Sequence, residues 1–408
     1  MVGNKIKFHI GFITDEGFPS GMSTTNRIAS MAKGLVLLKH DVTIFCVRPT
    51  EKSNNIINFE IEGKSNGINF IYTANTIKWP DSIAGKFLSV LKGFIGFFLH
   101  YRRKNKNNKF DFIICTTSNY FYNYWFCKYI KFFKGVPVIA IDEYPHVLRN
   151  KSEYNGYFSK FYLRNFYKFF DGAIVMTKIL IDFYKPLLKM NVPILHLPMS
   201  VEAERFQVKF DSPFDFDYIA YCGNLGQNQK DGVPILIEAF SIVKKKYHDI
   251  KLIIIGSANP SVQDEVFNNL RTIANNYNVA NDIIFTGKIH RDNMPKYLVN
   301  AKILALARPD SLQSQGGFPT KLGEYLATGK PVVVTSVGEI PLYLTDSINA
   351  FVAKPDSPTS FAERMLFLLD NSQLAHQVGI EGKKLANTIF NYKVQSVELF
   401  NFLMLLRK

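Results

Sequence analysis

The chain has 408 residues, of which 47% are apolar and 20% charged, with a formal net charge of +15 at pH 7. That length exceeds one ordinary core and that apolar content excludes a disordered protein, so two domains are expected. The excess of Lys and Arg fits an anionic partner (nucleic acid, anionic lipid or a phosphorylated small molecule), and composition alone does not choose among them.

From the N-terminus, apolar runs at 7–14, 41–47, 110–117 and 136–142 read as strands separated by helical segments, and the style repeats at 217–223, 250–256, 282–287, 303–307 and 331–335. Continuous apolar strands alternating with helices predict parallel sheets covered on both faces. Residues 198–217 lack periodicity, which places a linker at 199–216. The expected fold class is α/β, with two doubly wound, Rossmann-like parallel-sheet domains facing a central cleft. An N-terminal acceptor domain would span 1–198 and a nucleotide domain 217–388, with a C-terminal helix in 389–408 crossing back to the first. Cys46, Cys115, Cys127 and Cys222 have no CxxC or other metal-ligand spacing and read as buried free thiols of a reducing compartment. The opening MVGNKIKFHIGFIT has no long apolar h-region and reads as a first strand, so a cytoplasmic location is expected.

Open parallel sheets bind ligands beyond the carboxyl ends of their strands, so the loops there carry the candidates. After the first strand, Gly17, Gly21, Ser23, Thr24 and Thr25 make a small, hydroxyl-rich helix entry. It suits an anion or a polar acceptor, and an ordinary capped loop reads equally well. Its spacing is neither GxGxxG nor a P-loop. After the fourth strand Asp142, Glu143 and His146 cluster. Asp142 and His146 are catalytic candidates, with a structural hydrogen bond the plainer reading of the histidine.

Residues 77–109 combine an apolar run, Trp79 and a basic tail. The run from Phe87 to Tyr101, ~15 residues with Lys92 inside, falls short of the roughly 20 needed to span a bilayer. An interfacial helix fits, with Lys86, Arg102, Arg103 and Lys104 near anionic headgroups. The alternative is a helix that buries its aromatics in the first core. The interfacial reading implies peripheral contact with the inner face of the cell membrane and a lipid-linked acceptor.

In the second half, Gly223, Asn224, Leu225 and Gly226 follow a strand directly, and Lys230 precedes the next helix. Glycines let backbone amides approach a phosphate, and a lysine supplies a point charge. Arg308 then leads into PDSLQSQGGFPTKLGEYLATGKPVVVT. With Pro319 in a first helical turn, the N–H groups of Gly317, Phe318, Thr320 and Lys321 are expected to meet an anion at the helix's positive end. Glu324 lies one turn beyond Lys321 on the same face. A cation for a diphosphate beside an acid for ribose hydroxyls suits a nucleotide.

At these residues the chain resembles the GT-B glycosyltransferases, specifically the large retaining family 4. Gly317-Phe318, Glu324 and Gly329-Lys330-Pro331-Val332-Val333 follow the order of that signature, and the likeness covers most of residues 217–355. GNLGQNQKDGVPILIEAF is similar to the family's phosphate loop and following helix, with Lys230 at the family lysine. Two positions depart from it: Gly316 stands where the family has its first acid, which contacts the transferred sugar, and Asn224 stands in place of an arginine. The second acid, matched by Glu324, belongs to the ribose. Lys321 and Arg308 are the candidate compensating cations.

The resemblance implies a metal-independent, retaining transfer of a sugar from a nucleotide-sugar to a glycan or lipid-linked acceptor, suited to cell-surface polysaccharide assembly. Lys230, Lys321 and Glu324, with Asp142 and His146, form the expected catalytic set. Gly223, Asn224, Arg308, Gly316, Gly317, Phe318 and Thr320 join Lys321 and Glu324 in donor binding, and Gly21, Ser23 and Thr24 form the acceptor or phosphate loop. Asp215-Phe216-Asp217 spells the DxD of metal-dependent GT-A enzymes but falls in the expected linker, so neither a metal nor a cofactor is expected. A nucleotide-sugar epimerase or a non-catalytic binder would keep the same grip, and no nucleic-acid recognition motif is present.

Overall fold

Each half of the chain builds its sheet mostly from short runs that are apolar on both faces, the polar edge strand EGKS excepted. The computed structural model describes residues 7–52, 56–117, 119–145, 161, 163–226 and 230–407. The chain divides into two units, Met1–Ser200 with Tyr392–Lys408, and Val201–Asn391.

Among the described residues the first unit holds β1 (His9–Thr14), β2 (Asp41–Cys46), β3 (Glu62–Ser65), β4 (Ile68–Tyr72), β5 (Phe112–Cys115), β6 (Val136–Ile141), β7 (Gly172–Val175) and β8 (Ile194–His196). They form one sheet in the order β3-β4-β2-β1-β5-β6-β7-β8. Every neighbouring pair is parallel except β3–β4. That hairpin turns on Asn66 (φ 49°) and Gly67 (φ 82°), the left-handed pair that an Asn-Gly turn needs to match strand twist. On one face, Ile28 and Met31 of α1 (Ser23–Leu37) and Leu399 and Phe402 of the closing helix Tyr392–Leu405 pack over Ile10 and Phe12. On the other, α2 (Ile83–Asn107) and α3 (Tyr120–Phe132) lay Phe97, Tyr101, Phe126 and Ile130 over Ile13, Phe45 and Ile113. All four cysteines are free and buried.

The long helix α2 starts where Ser82 accepts the Gly85 N–H (3.1 Å) and ends with Lys104 and Lys106 in its last turn, where cations favour the dipole. Its inner face is held tightly: Thr73 Oγ1 donates to the Gly93 carbonyl (2.7 Å), and a side chain at Gly96 would collide with the Thr73 carbonyl. Gly96→Val is therefore expected to cost about 3 kcal/mol of unfolding free energy, read by chemical denaturation, because the obstacle is backbone and cannot step aside.

The segment expected as a linker is in part packed. Val201, Ala203 and Phe206 are buried, and Ala203–Phe206 forms a single 3-10 turn, too short to leave a period in the sequence. The second unit then runs β9 (Tyr218–Cys222), β10 (Lys251–Ile255), β11 (Ile283–Gly287), β12 (Ile303–Leu306), β13 (Val332–Thr335) and β14 (Phe351–Ala353). Their order is β11-β10-β9-β12-β13-β14 and all pairs are parallel. The chain steps outward from β9 on one side and resumes at β12 on the other, so the order reverses between β9 and β12.

Candidate functional site

A doubly wound sheet opens a crevice where its strand order reverses, because the helices after the two central strands leave on opposite faces. At the carboxyl end of β9, Gly223 donates its N–H to Ile255 O (2.9 Å). A side chain there would strike Lys321 Nζ and the Tyr221 hydroxyl, so glycine is what admits both. Asn224 turns its Oδ1 back onto the Gly226 N–H (2.8 Å). Past Lys230 and Asp231, Gly232 (φ 64°) caps α4 (Val233–Lys244) in a conformation that favours glycine, with the Ala307 carbonyl directly against it. After β10 comes α5 (Gln263–Asn276), and from the end of β12 the chain passes Arg308 into the short helix α6 (Leu312–Gly316). Ser311 caps α6, and α7 (Thr320–Thr328) follows, ending at left-handed Gly329.

Asp231 is the electrostatic centre. Lys321, in the first turn of α7, reaches back to pair with Asp231 Oδ2 and donates to the Tyr221 hydroxyl (3.3 Å). Tyr221 in turn donates to Asp231 Oδ2 (2.9 Å), and Arg308 Nε stands 3.8 Å from Asp231 Oδ1. Burial works to raise the Asp231 pKa, but Lys321 and Arg308 prevail and hold the carboxyl below its usual range. Burial, reinforced by Asp231, pushes the Tyr221 hydroxyl well up, so it stays a donor. Two cations thus share one carboxylate, which leaves a net positive charge beside a cavity of about 230 Å³ lined by Tyr221, Asn224, Gly226, Asp231, Pro234 and Glu265. One turn along, Glu324 Oε1 accepts from Arg205 Nη1 (2.9 Å). Arg205 also donates to the Arg291 carbonyl, and Arg291 pairs with buried Glu202 (2.8 Å). Tyr325 accepts the Cys222 N–H (2.7 Å), which ties α7 to the end of β9.

Residues 202–385, nearly all of this unit, match the family described as Glycosyl transferases group 1. The second unit is a group 1 glycosyl transferase domain. An uncharacterized glycosyltransferase of Methanocaldococcus jannaschii is 26% identical over 153 residues, which is 38% of this chain and 39% of that relative. The chain thus spans about two fifths of the curated relative it matches. Sucrose-phosphate synthase from Thermosynechococcus elongatus superposes at TM-score 0.76 with 14% identity, covering 98% of this chain and 99% of that one. Anabaena HepE, solved with UDP and glucose, superposes at 0.66 with 13% identity over 97% and 99%. The fold of the chain is GT-B.

Within the group 1 domain the structure brings Gly223, Arg308 and Lys321 together, with Lys230 partly buried next to Asp231 in the chain. Several expectations change. Arg308 is only 2% exposed and braces the loop from below, its Nη1 donating to Gly317 O (3.1 Å). The Gly317 N–H is not open to an anion, because it closes α6 by donating to Gln313 O (3.1 Å). The Phe318 side chain belongs to the core, edge-on to Tyr343 (5.5 Å) and against Phe390 (5.7 Å). Pro319 caps α7 from outside its first turn, so Thr320 is the first helical residue, and Leu322 donates to Pro319 O (3.0 Å). Gly316 ends α6 and is buried. The DxD sits at the amino end of β9, opposite the crevice, with Asp217 3.3 Å from Lys302.

In the first unit, Gly21, Ser23 and Thr24 do follow β1 into α1, and Thr25 Oγ1 closes the loop on Gly17 O (2.9 Å). Asp142 follows β6 and pairs with buried Arg27 Nε (2.7 Å), whose other nitrogens hold the carbonyls of Leu197 and Pro198 (2.7 and 2.8 Å). Burial pushes the Asp142 pKa up against the pull of Arg27. His146 lies outside the described residues. The sequence reading passed over Asp231, Tyr221 and Arg205. Asp231 had a visible signal, an acid followed by glycine at a helix entry next to a lysine. Arg205 had none, since 119 residues separate it from Glu324.

Proposed function

We propose that the protein is a glycosyltransferase that moves a sugar from a nucleoside-diphosphate sugar to an acceptor hydroxyl, with retention at the anomeric carbon. The observation that carries this reading is the net-positive Asp231–Lys321–Arg308 cluster beside Gly223, at the strand-order reversal of a group 1 domain. In the transfer, the bond from the anomeric carbon to the β-phosphate oxygen breaks, with its electron pair left on the diphosphate. The acceptor oxygen forms the new bond and its proton is released. Lys321 and Lys230, with the amides that open α7, neutralise the charge that gathers on the diphosphate. Glu324 takes the ribose hydroxyls, and the Arg205 contact sets its position beforehand. Arg308 fixes the Gly317 loop. The loops of the first unit at Gly21, Ser23, Thr24 and Asp142 take the acceptor, a glycan or lipid-linked glycan of cell-surface assembly on the cytoplasmic side.

Because cations and amides carry the leaving-group charge in this scheme, turnover is expected to survive EDTA. The primary test is thermal stabilisation by a panel of nucleotide sugars, UDP-sugars first because HepE holds UDP, followed by nucleotide release with lipid-phosphate glycans as acceptors. Stabilisation by at least one donor and acceptor-dependent release are expected. Turnover of donor alone would indicate an epimerase, and failure of every nucleotide sugar to stabilise the protein would refute the reading.

A further inference from the structure

The outer faces of α2 and α3 are apolar where solvent-facing helices are ordinarily polar. Along α2 the exposed residues Ile83, Phe87, Leu91, Ile95 and Leu99 recur every fourth position, with Ile83 85% and Phe87 68% exposed. The recurrence keeps them on one side of the helix. Along α3, Phe121, Trp125 and Phe132 make a second exposed row, Phe132 at 78%. The two helices lie side by side and run the same way, because Tyr122 donates to Val90 O (3.0 Å) and Tyr129 to Phe98 O (3.2 Å). Both bury their inner faces in the same core cluster over one face of the sheet, so both outer rows look away from that sheet. The result is a broad apolar patch of a kind that soluble surfaces rarely leave open.

Charge says what covers it. From Ile83 to Phe110, and again from Asn119 to Ile141, the sequence has no Asp or Glu. Lys92, Arg102 and Lys106 are exposed on α2, and Lys128 of α3 lies over the rings of Tyr124 (4.5 Å) and Trp125 (5.8 Å). Apolar rows, an interfacial tryptophan and unopposed cations together complement an anionic bilayer surface. We infer that this two-helix face docks the first unit onto an anionic lipid leaflet, with the helices lying in the interface.

A spanning helix is the rival geometry, since α2, at 25 residues, is long and apolar enough to cross a membrane. Its inner face argues against that. Phe97 and Tyr101 are fully buried, and Gly93 and Gly96 sit directly on the backbone at Val47 and Thr73. Withdrawing α2 into a bilayer would strip that face from the core, whereas docking leaves it in place.

The test is cosedimentation of the full chain with phosphatidylcholine vesicles with and without 30% phosphatidylglycerol, with no nucleotide or sugar present. Its outcome therefore stands apart from the catalytic reading. Partition is expected to be at least ~10-fold stronger with the anionic lipid and to weaken with salt. The triple variant Phe87→Glu/Leu91→Glu/Ile95→Glu should lower it at least ~10-fold while retaining the circular dichroism and unfolding midpoint of the parent, because its side chains point to solvent. Trp79→Phe leaves Trp125 as the lone tryptophan, and its emission should shift to the blue on anionic vesicles. Absence of partition, equal binding to neutral vesicles, or a dimer dispersed by the triple variant without vesicle binding would each overturn the inference.

Discussion

Asp231→Asn is expected to lower the unfolding free energy by about 3 kcal/mol, a large share of what holds an ordinary domain together. The side chain is 12% exposed and is the carboxylate shared by Lys321 and Arg308, and it accepts from Tyr221 as well. Asparagine keeps the size and one acceptor oxygen but removes the charge, so a nearly enclosed guanidinium and a lysine face each other without a counter-ion. Arg308 cannot move to water, because its backbone carbonyl is bound by Thr335 and its Nη1 by Gly317 O. The pH dependence separates this account from lost packing. The folded-state pKa of Asp231 lies below its ordinary value, so its pairing stabilises the fold above an unfolded pKa of about 4 and is lost as pH falls through the folded value. The stability gap between parent and variant should therefore be widest near neutrality and narrow progressively below about pH 4 in urea titrations. A gap unchanged down to pH 2 would assign the loss to shape and not to charge.

Much of the scaffold was legible because buried parallel strands have to be apolar on both faces. IKLIIIG and PVVVT can hardly be anything else, and they form β10 and β13. β4 (INFIY) and β7 (GAIV) were passed over although they are apolar and largely buried, β3 escaped because its EGKS is polar and lies at the sheet edge, and β8 and β14 are three residues each, too short for a period. The Asn66-Gly67 turn was the readable signal for the hairpin. For the site, spacing correctly placed Lys321 and Glu324 on one helix, since i and i+3 positions are fixed by the helix itself. It did not say what each would meet. The partners of these two residues lie 90 and 119 positions away, at Asp231 and Arg205, and only the tertiary fold brings them near. The same limit explains Phe318 and Arg308: a residue flanking a ligand loop can face the crevice or the core beneath it, and sequence spacing is identical in both cases.

Lys321→Ala is expected to reduce kcat of sugar transfer by about 100-fold, with a smaller change in KM for the donor. The asymmetry follows from when the charge appears. A diphosphate in the bound donor already carries negative charge, but more gathers on the leaving oxygen as the glycosidic bond stretches, so a fixed ammonium contributes more in the transition state than in the ground state. Gly223 supplies the geometry, since its missing side chain is what lets Nζ stand at the carboxyl end of β9. Lys321→Arg tests charge against shape. A guanidinium is broader and forked, and the space beside Gly223 is closed by Tyr221, so the charge-conserving change should recover only part of the rate. Binding of the free nucleoside diphosphate, measured by calorimetry, should weaken in both variants and more in the alanine. Since Lys321→Ala also leaves Asp231 with Arg308 as its remaining cation, the unfolding midpoint should fall as well, and rates must be compared at a temperature where both proteins are folded. If kcat and nucleotide affinity of folded Lys321→Ala equalled those of the parent, Lys321 would be a structural partner of Asp231 alone. Lys230 would then have to carry the leaving-group charge.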